Sequence, residues 1–202
     1  PSKSRGLGDV YKRQLLRENT CNHENFFSPS PLEDNLALLT HCEYYYKRFS
    51  SLLLTKKEIR PIGFPMSKDL VYREKKIAKG TIECVDFSIK NGISMNIAGG
   101  THHAFRDRGE AFCMLNDQAI AANYLLKNNK ANKILIVDLD VHQGNGTASI
   151  FNENKNVFTL SFHGKKNYPF KKEISDLDVD FPDNTDDKFY LSKLNEILPK
   201  VV

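Results

Sequence analysis

The stretch Lys133 to Leu139 carries Ile134-Leu135-Ile136-Val137 without a polar break. A strand with one wet face alternates apolar and polar side chains, whereas a continuous apolar run suits a strand buried on both faces. Such a strand needs helices on each side, so the chain is read as α/β, a three-layer open parallel sheet with helices on both faces. The run ends in Asp138-Leu139-Asp140-Val141-His142. In open parallel sheets, ligands bind just beyond the carboxyl ends of the strands, where this polar cluster falls.

The flanking pattern extends that reading. Leu36–Leu39 reads as a short strand, followed by an aromatic helix through Tyr44, Tyr45 and Tyr46. Pro61–Pro65 is a turn. Ser67 then caps a helix on which Leu70, Ile77, Thr81, Cys84, Val85 and Ile89 recur near helical spacing, with Gly80 as an interruption and Gly92 as the stop. Ile93–Ala98 reads as a strand running into Gly99-Gly100, Asn116–Leu126 as a helix, Thr147–Phe151 as a short helix and Val157–Phe162 as a strand. A last helix is expected from about Asp186 to Leu198, ended by Pro199, and the polar residues 15–35 read as a loop or a damaged domain edge. Alternating strands and helices predict crossover connections, with three strand ends bringing polar residues to one rim.

Composition narrows the partners. The 202 residues suffice for one domain, and 40% apolar with 27% charged residues is ordinary for a soluble protein. The sequence has no apolar run of membrane-span length and no secretory leader pattern, so no membrane partner is expected. Cys21, Cys42, Cys84 and Cys113 form no CxxC and read as free thiols of a reducing, cytoplasmic compartment. Ser4–Gln14 resembles a translated sequencing adapter, so residues 1–14 are expected to be an artefact with its flanks, and the gene to have been read from a fragment. That segment carries Arg5, Lys12 and Arg13 against Asp9, half of the formal charge of +4, so basicity gives no support to direct nucleic-acid binding. Nothing in the sequence fixes an oligomeric state.

The polar clusters suggest the chemistry. In extended backbone, residues i and i+2 point the same way, so Asp140 and His142 would offer an oxygen and a nitrogen to one metal. A catalytic zinc site takes three protein ligands and an open position, and two are visible here. His102 and His103, after Gly99-Gly100-Thr101, supply imidazoles that could take a proton from water and return it to a leaving amine. Each imidazole needs a partner on its other nitrogen. Asp138 could hold one and Asn145, in Gly144-Asn145-Gly146, the other. For each motif alone the plainer readings stand beside these: a loop histidine, a strand-end aspartate on backbone amides, a turn asparagine.

Gly99–Phe105 resembles the paired-histidine segment of the histone deacetylase family. Ala111–Asp117 and Asp138–Thr147 extend the match in order and spacing, and Arg60–Phe64 and Thr159–Gly164 fit it too. The resemblance covers roughly Leu36 to Leu198, and Gln143 and Asn145 are more like class IV and related bacterial members. It implies a partial catalytic domain over residues 15–202, of the arginase/deacetylase-like fold and truncated at both ends. The activity implied is hydrolysis of the amide of acetyl-lysine, in a protein or in a small acetylated amine. Asp140 and His142 would ligate one zinc. His103 would be general base and then acid, and His102 an electrostatic aid partnered by Asp138. Asn145 would orient His103 where class I members place a carboxylate. Phe112 and Ala111 would line the substrate channel. A potassium ion would sit among Asp138, Asp140, His142, Ser161 and Phe162, partly through backbone carbonyls. Arginase relatives, with two manganese ions, carry a carboxylate two residues after the metal-strand histidine. Here that position is Gly144, which favours one ion. The family's third zinc ligand and its oxyanion tyrosine have no counterpart before Val202, so an inert fragment is the competing expectation.

Overall fold

The computed structural model describes residues 7–202, with side chains from Val10 onward. Three parallel strands form the sheet in the order β1 (Ile134–Asp138), β2 (Val157–Gly164) and β3 (Leu177–Phe181). The apolar run in β1 is buried on both faces, as its composition requires. Ile134 and Ile136 pack with Val157 against α6 (Asp117–Lys127) and α7 (Asn145–Phe151) through Ala119, Ala122, Leu126, Ile150 and Phe151. Leu135 and Val137 point the other way, joining Leu160, Phe162, Val179 and Phe181 under α8 (Asp187–Val201), which contributes Tyr190, Leu194 and Ile197. Helix, sheet and helix are therefore the three layers anticipated from the sequence.

A second core lies outside the sheet. The helices α2 (Asp34–Ala37), α3 (Glu43–Ser50) and α4 (Lys56–Ile62) pack Ala37, Tyr45, Tyr46, Phe49 and Ile62 onto α5 (Lys68–Asn91) and α6. Ser67 caps α5, its hydroxyl accepting from Leu70 N, and the helix runs through Gly80, where a Cβ would crowd Asn96 and Pro29. The cysteines are all free. Among the described residues no helix is long and apolar enough to cross a membrane.

Three expectations need correction. Leu36–Leu39 is not a strand: Leu38 N bonds Asp34 O and His41 N bonds Ala37 O, so the backbone satisfies itself in helical turns. Ile93–Ala98 is not a strand either. No neighbour pairs with it, Ile93 is 85% exposed, and the segment instead wraps Asn96, whose amide donates to Ile77 O on α5 at 2.9 Å and to Thr81 Oγ1 at 2.8 Å. Pro199 does not end α8, which runs to Val201; this close to the end the missing N–H costs one helical bond. Residues 15–35 are mostly loop between their helical ends, as expected. They continue α1 (Leu7–Arg17) through a 3-10 turn at His23–Asn25 and lie along α5, with Phe27 stacked on Phe87 at 4.7 Å and Lys79 paired to Glu33. The segment set aside as adapter-derived falls partly outside the described residues and partly in α1, whose Lys12 sits 5.0 Å over the Phe26 ring. β3 was not anticipated.

Candidate active site

The paired histidines sit on a loop, not at a strand end, and that loop is stapled from four sides. Asp117, at the first turn of α6, accepts from Gly100 N, Thr101 N, the Thr101 hydroxyl and the Thr81 hydroxyl. Asn116 caps α6 through its Oδ1 and turns its Nδ2 to Ala104 O and Thr147 Oγ1. His41 donates from Nδ1 to Phe105 O at 2.9 Å and accepts at Nε2 from Asn116 N at 3.0 Å. Thr147 N, on α7, donates to His102 O. The backbone polar groups of the loop are thus met by fixed groups of the surrounding helices and turns, which holds both imidazoles in place. Asp117→Asn turns Oδ2 into an amide nitrogen that can no longer accept from the Thr81 hydroxyl or Gly100 N, so a loss of about 1–2 kcal/mol by thermal or urea unfolding is expected; an unchanged midpoint would show the staple to be redundant.

His102 and His103 stand with ring centroids 4.1 Å apart and have unlike partners. His102 Nδ1 meets Asp138 Oδ2 at 2.5 Å, and His103 Nδ1 meets Asn145 Oδ1 at 2.6 Å. Burial opposes charge on both rings. For His102 the bond and charge of Asp138, aided by Asp140 and Asp117, outweigh burial and raise its pKa. For His103 burial and the neighbouring His102 prevail over the bond to Asn145, and its pKa is lowered. One imidazole is therefore biased toward the cation and its neighbour toward the free base, the separation that general acid–base chemistry exploits.

Asp140 and His142 lie on a bend after β1, not on extended backbone, yet they converge. Asp140 Oδ1 accepts from His142 N at 2.8 Å and lies 2.9 Å from His142 Nδ1, and His102 Nε2 is 4.0 Å away. Burial pushes the Asp140 carboxyl up, but the His142 N–H, the His102 charge and the His142 ring overcome it and the pKa is lowered. Oxygen and nitrogen donors on one tetrahedral zinc stand about 3.3 Å apart, so this pair fits a shared ion with little movement. Among the described residues no three His, Cys, Asp or Glu side chains group to hold a metal, so the pair is two donors and not a full set.

Two glycines of the motif are demanded by close approach. A Cβ on Gly144 would come within 2.3 Å of Asp138 Oδ2, forcing itself into the His102–Asp138 pair. A Cβ on Gly146 would strike Ala104 O at 2.3 Å and His102 O at 2.8 Å, where α7 abuts the histidine loop. In this backbone Gly144 has no room for the extra carboxylate of a two-metal site.

The Histone deacetylase domain model matches residues 7–202. The chain belongs to the histone deacetylase family. An uncharacterised protein of the cyanobacterium Picosynechococcus is 41% identical over 180 residues, covering 89% of this chain and 60% of its own length. Histone deacetylase 2 of Arabidopsis thaliana is 28% identical over 170 residues, 80% of this chain and 44% of that one. The crystal structure of a histone deacetylase homologue from Aquifex aeolicus superposes with a TM-score of 0.82 at 24% identity, over 96% of this chain and 57% of the other. The chain thus spans less than two thirds of the length of these relatives.

Seen as a histone deacetylase family site, the remaining anticipated residues divide. Ala111 and Phe112 form the tip of a two-residue turn, with φ of 43° and 67°, closed by reciprocal backbone bonds between Glu110 and Cys113 and tied to Pro61 O and Ile62 O. Two non-glycine residues in the left-handed region cost about 1 kcal/mol or more each, which the clamps offset. Phe112 is 60% exposed and leans on Phe64 at 5.0 Å. Of the five residues named for potassium, Phe162 could reach an ion only through its backbone carbonyl. Ser161 is the register partner of Asp138, but its hydroxyl meets His163 Nδ1, and Phe162 lies in the core. Two site neighbours escaped sequence reasoning. The Tyr168 ring stands edge-on to His103 at 5.0 Å, and Glu110 accepts from both the Tyr168 hydroxyl and Asn145 Nδ2.

Proposed function

We propose that the protein serves a metal-dependent amide hydrolase that removes acyl groups from amines of the acetyl-lysine type. The observation that carries this is the pair of adjacent imidazoles with opposite bias, facing a carboxylate and an imidazole that converge on one point. Asp140 and His142 would hold one zinc ion. That ion, when bound, supplies Lewis-acid polarisation of the amide carbonyl and acidifies water. Of the two dyad nitrogens facing the site, His103 Nε2 is the free base, because Nδ1 carries the proton given to Asn145 Oδ1. It takes the proton of the attacking water and delivers it to the leaving amine. His102, drawn toward the cation by Asp138, places positive charge beside the developing oxyanion. Phe64 and Phe112 give the entry an apolar wall suited to the methylenes of a lysine or polyamine arm.

A second reading has its own observation: two metal donors, not three, lie among the described residues. On that reading the 202-residue chain by itself binds zinc weakly and turns over nothing. Acetate release from an acetyl-lysine peptide and from an acetylated polyamine, followed during zinc titration, separates the two. Zinc-dependent release from either substrate is the expected result for a complete site. Zinc bound without release supports the inert reading, and the better substrate of the two assigns the substrate class.

A further inference from the structure

Asn145 leaves His103 without the direct carboxylate that would fix its tautomer, and an amide can present either its oxygen or its nitrogen. The surroundings decide which. Asn145 Nδ2 lies 3.2 Å from Glu110 Oε1, and the Tyr168 hydroxyl is hydrogen-bonded to the same oxygen. The Arg108 guanidinium stands 3.7 Å from the other oxygen, Oε2, while its plane covers the Phe105 ring. An ionised carboxylate accepts and does not donate. The hydroxyl of Tyr168 spends its one proton on it. The Asn145 amide must therefore turn its NH2 to Glu110 and its oxygen to His103. His103 must in turn carry its proton on Nδ1, which leaves Nε2 bare.

We infer that Glu110 is a positioning residue that sets the His103 tautomer through Asn145, with Tyr168 holding the carboxylate in place. The negative charge missing next to His103 is supplied one residue further back. The backbone supports this role: Glu110 N donates to Cys113 O, and Cys113 N donates back to Glu110 O, so the residue is pinned at the base of its turn. Without an acceptor-only partner, Asn145 can rotate and offer NH2 to Nδ1, moving the proton to Nε2 and silencing the base. The catalytic weight of the device rests on the function proposed above; the tautomer itself does not.

Long-range proton–nitrogen correlation spectra of histidine in the 23.1 kDa chain test it directly, with His103 assigned by loss of its signals in His103→Gln. The wild type is expected to show Nδ1–H with a bare Nε2. Glu110→Gln keeps the shape but can donate as well as accept, and should move a measurable share of His103 to the Nε2–H form. Glu110→Ala, which lets water take the place, gives the same readout should the amide variant not fold. Where turnover is measurable, Glu110→Gln should lower kcat about 10-fold with KM unmoved. Glu110→Gln combined with Asn145→Asp should restore both the tautomer and kcat, since the charge then sits directly on His103. An unchanged His103 tautomer in the Glu110 variants overturns the inference. A tautomer shift in a protein that hydrolyses nothing upholds it while removing the deacylase reading.

Discussion

His103→Ala is expected to lower kcat by about 100- to 10,000-fold, the range lost with a positioned general base, while leaving zinc affinity and fold intact. The reason is geometric. Of the two imidazoles, His103 is the one whose outer partner is neutral and whose pKa burial and His102 push down, which is why the proposed mechanism makes it the proton acceptor. It makes none of the backbone bonds that staple the loop; those are made by Gly100, Thr101, His102, Ala104 and Phe105. His102→Ala should cost less in kcat but more in stability, because it leaves Asp138 buried beside Asp140 without its partner. Acetate release from an acetyl-lysine peptide, with zinc content measured on both proteins, is the assay. Undiminished turnover in His103→Ala would sink the mechanism.

The second large effect is on stability and acid. His41 is buried as the neutral ring, donating from Nδ1 to Phe105 O and accepting at Nε2 from Asn116 N. A second proton would have to enter where the Asn116 N–H already points. Burial therefore lowers its pKa from 6.5 to about 4. Above 6.5 the ring is neutral whether the chain is folded or not, and it contributes no pH dependence. Between 6.5 and about 4 the unfolded chain takes up a proton that the folded chain refuses, so stability falls as pH falls, by about 3 kcal/mol across the window. His41→Gln keeps a donor and an acceptor but no titration. Its unfolding free energy, from urea curves between pH 7.5 and 4.5, should fall less steeply than that of the wild type by about that amount. Parallel profiles would show that His41 does not carry the acid loss.

How far the sequence revealed this arrangement depended on the range of each interaction. Helix α5 was legible because Ser67 and Gly92 mark its ends and its apolar positions repeat locally. β1 was legible because a run such as Ile134–Val137 admits few other fates. Segments whose structure hangs on a neighbour were misread: Ile93–Ala98 has strand residues but no strand beside it, and Leu36–Leu39 closes its own turns. β3 has a strand's sequence period. Leu177, Val179 and Phe181 alternate with Asp178 and Asp180 before a Pro182-Asp183-Asn184 turn, the period of two of a strand. In the site, Asp138 and Asn145 could be named as partners of the dyad because the motif holds donors and acceptors of the right kind. Glu110 and Tyr168 could not: they are 58 residues apart in sequence, meet only through the fold, and neither belongs to a metal or dyad pattern. The order of the polar residues reveals the chemistry at hand, whereas their second partners are a product of packing.

The proposed chemistry requires Asp140 and His142 to share one ion beside His103. Titration of the chain with cobalt, whose visible absorption reports bound metal and its ligands, tests that claim without reference to turnover. One ion per chain is expected, displaced by zinc, with Asp140→Ala and His142→Ala each weakening binding by about 10-fold or more and His103→Ala leaving it unchanged. Binding that is indifferent to Asp140 and His142, or a second ion held with equal strength, would contradict it.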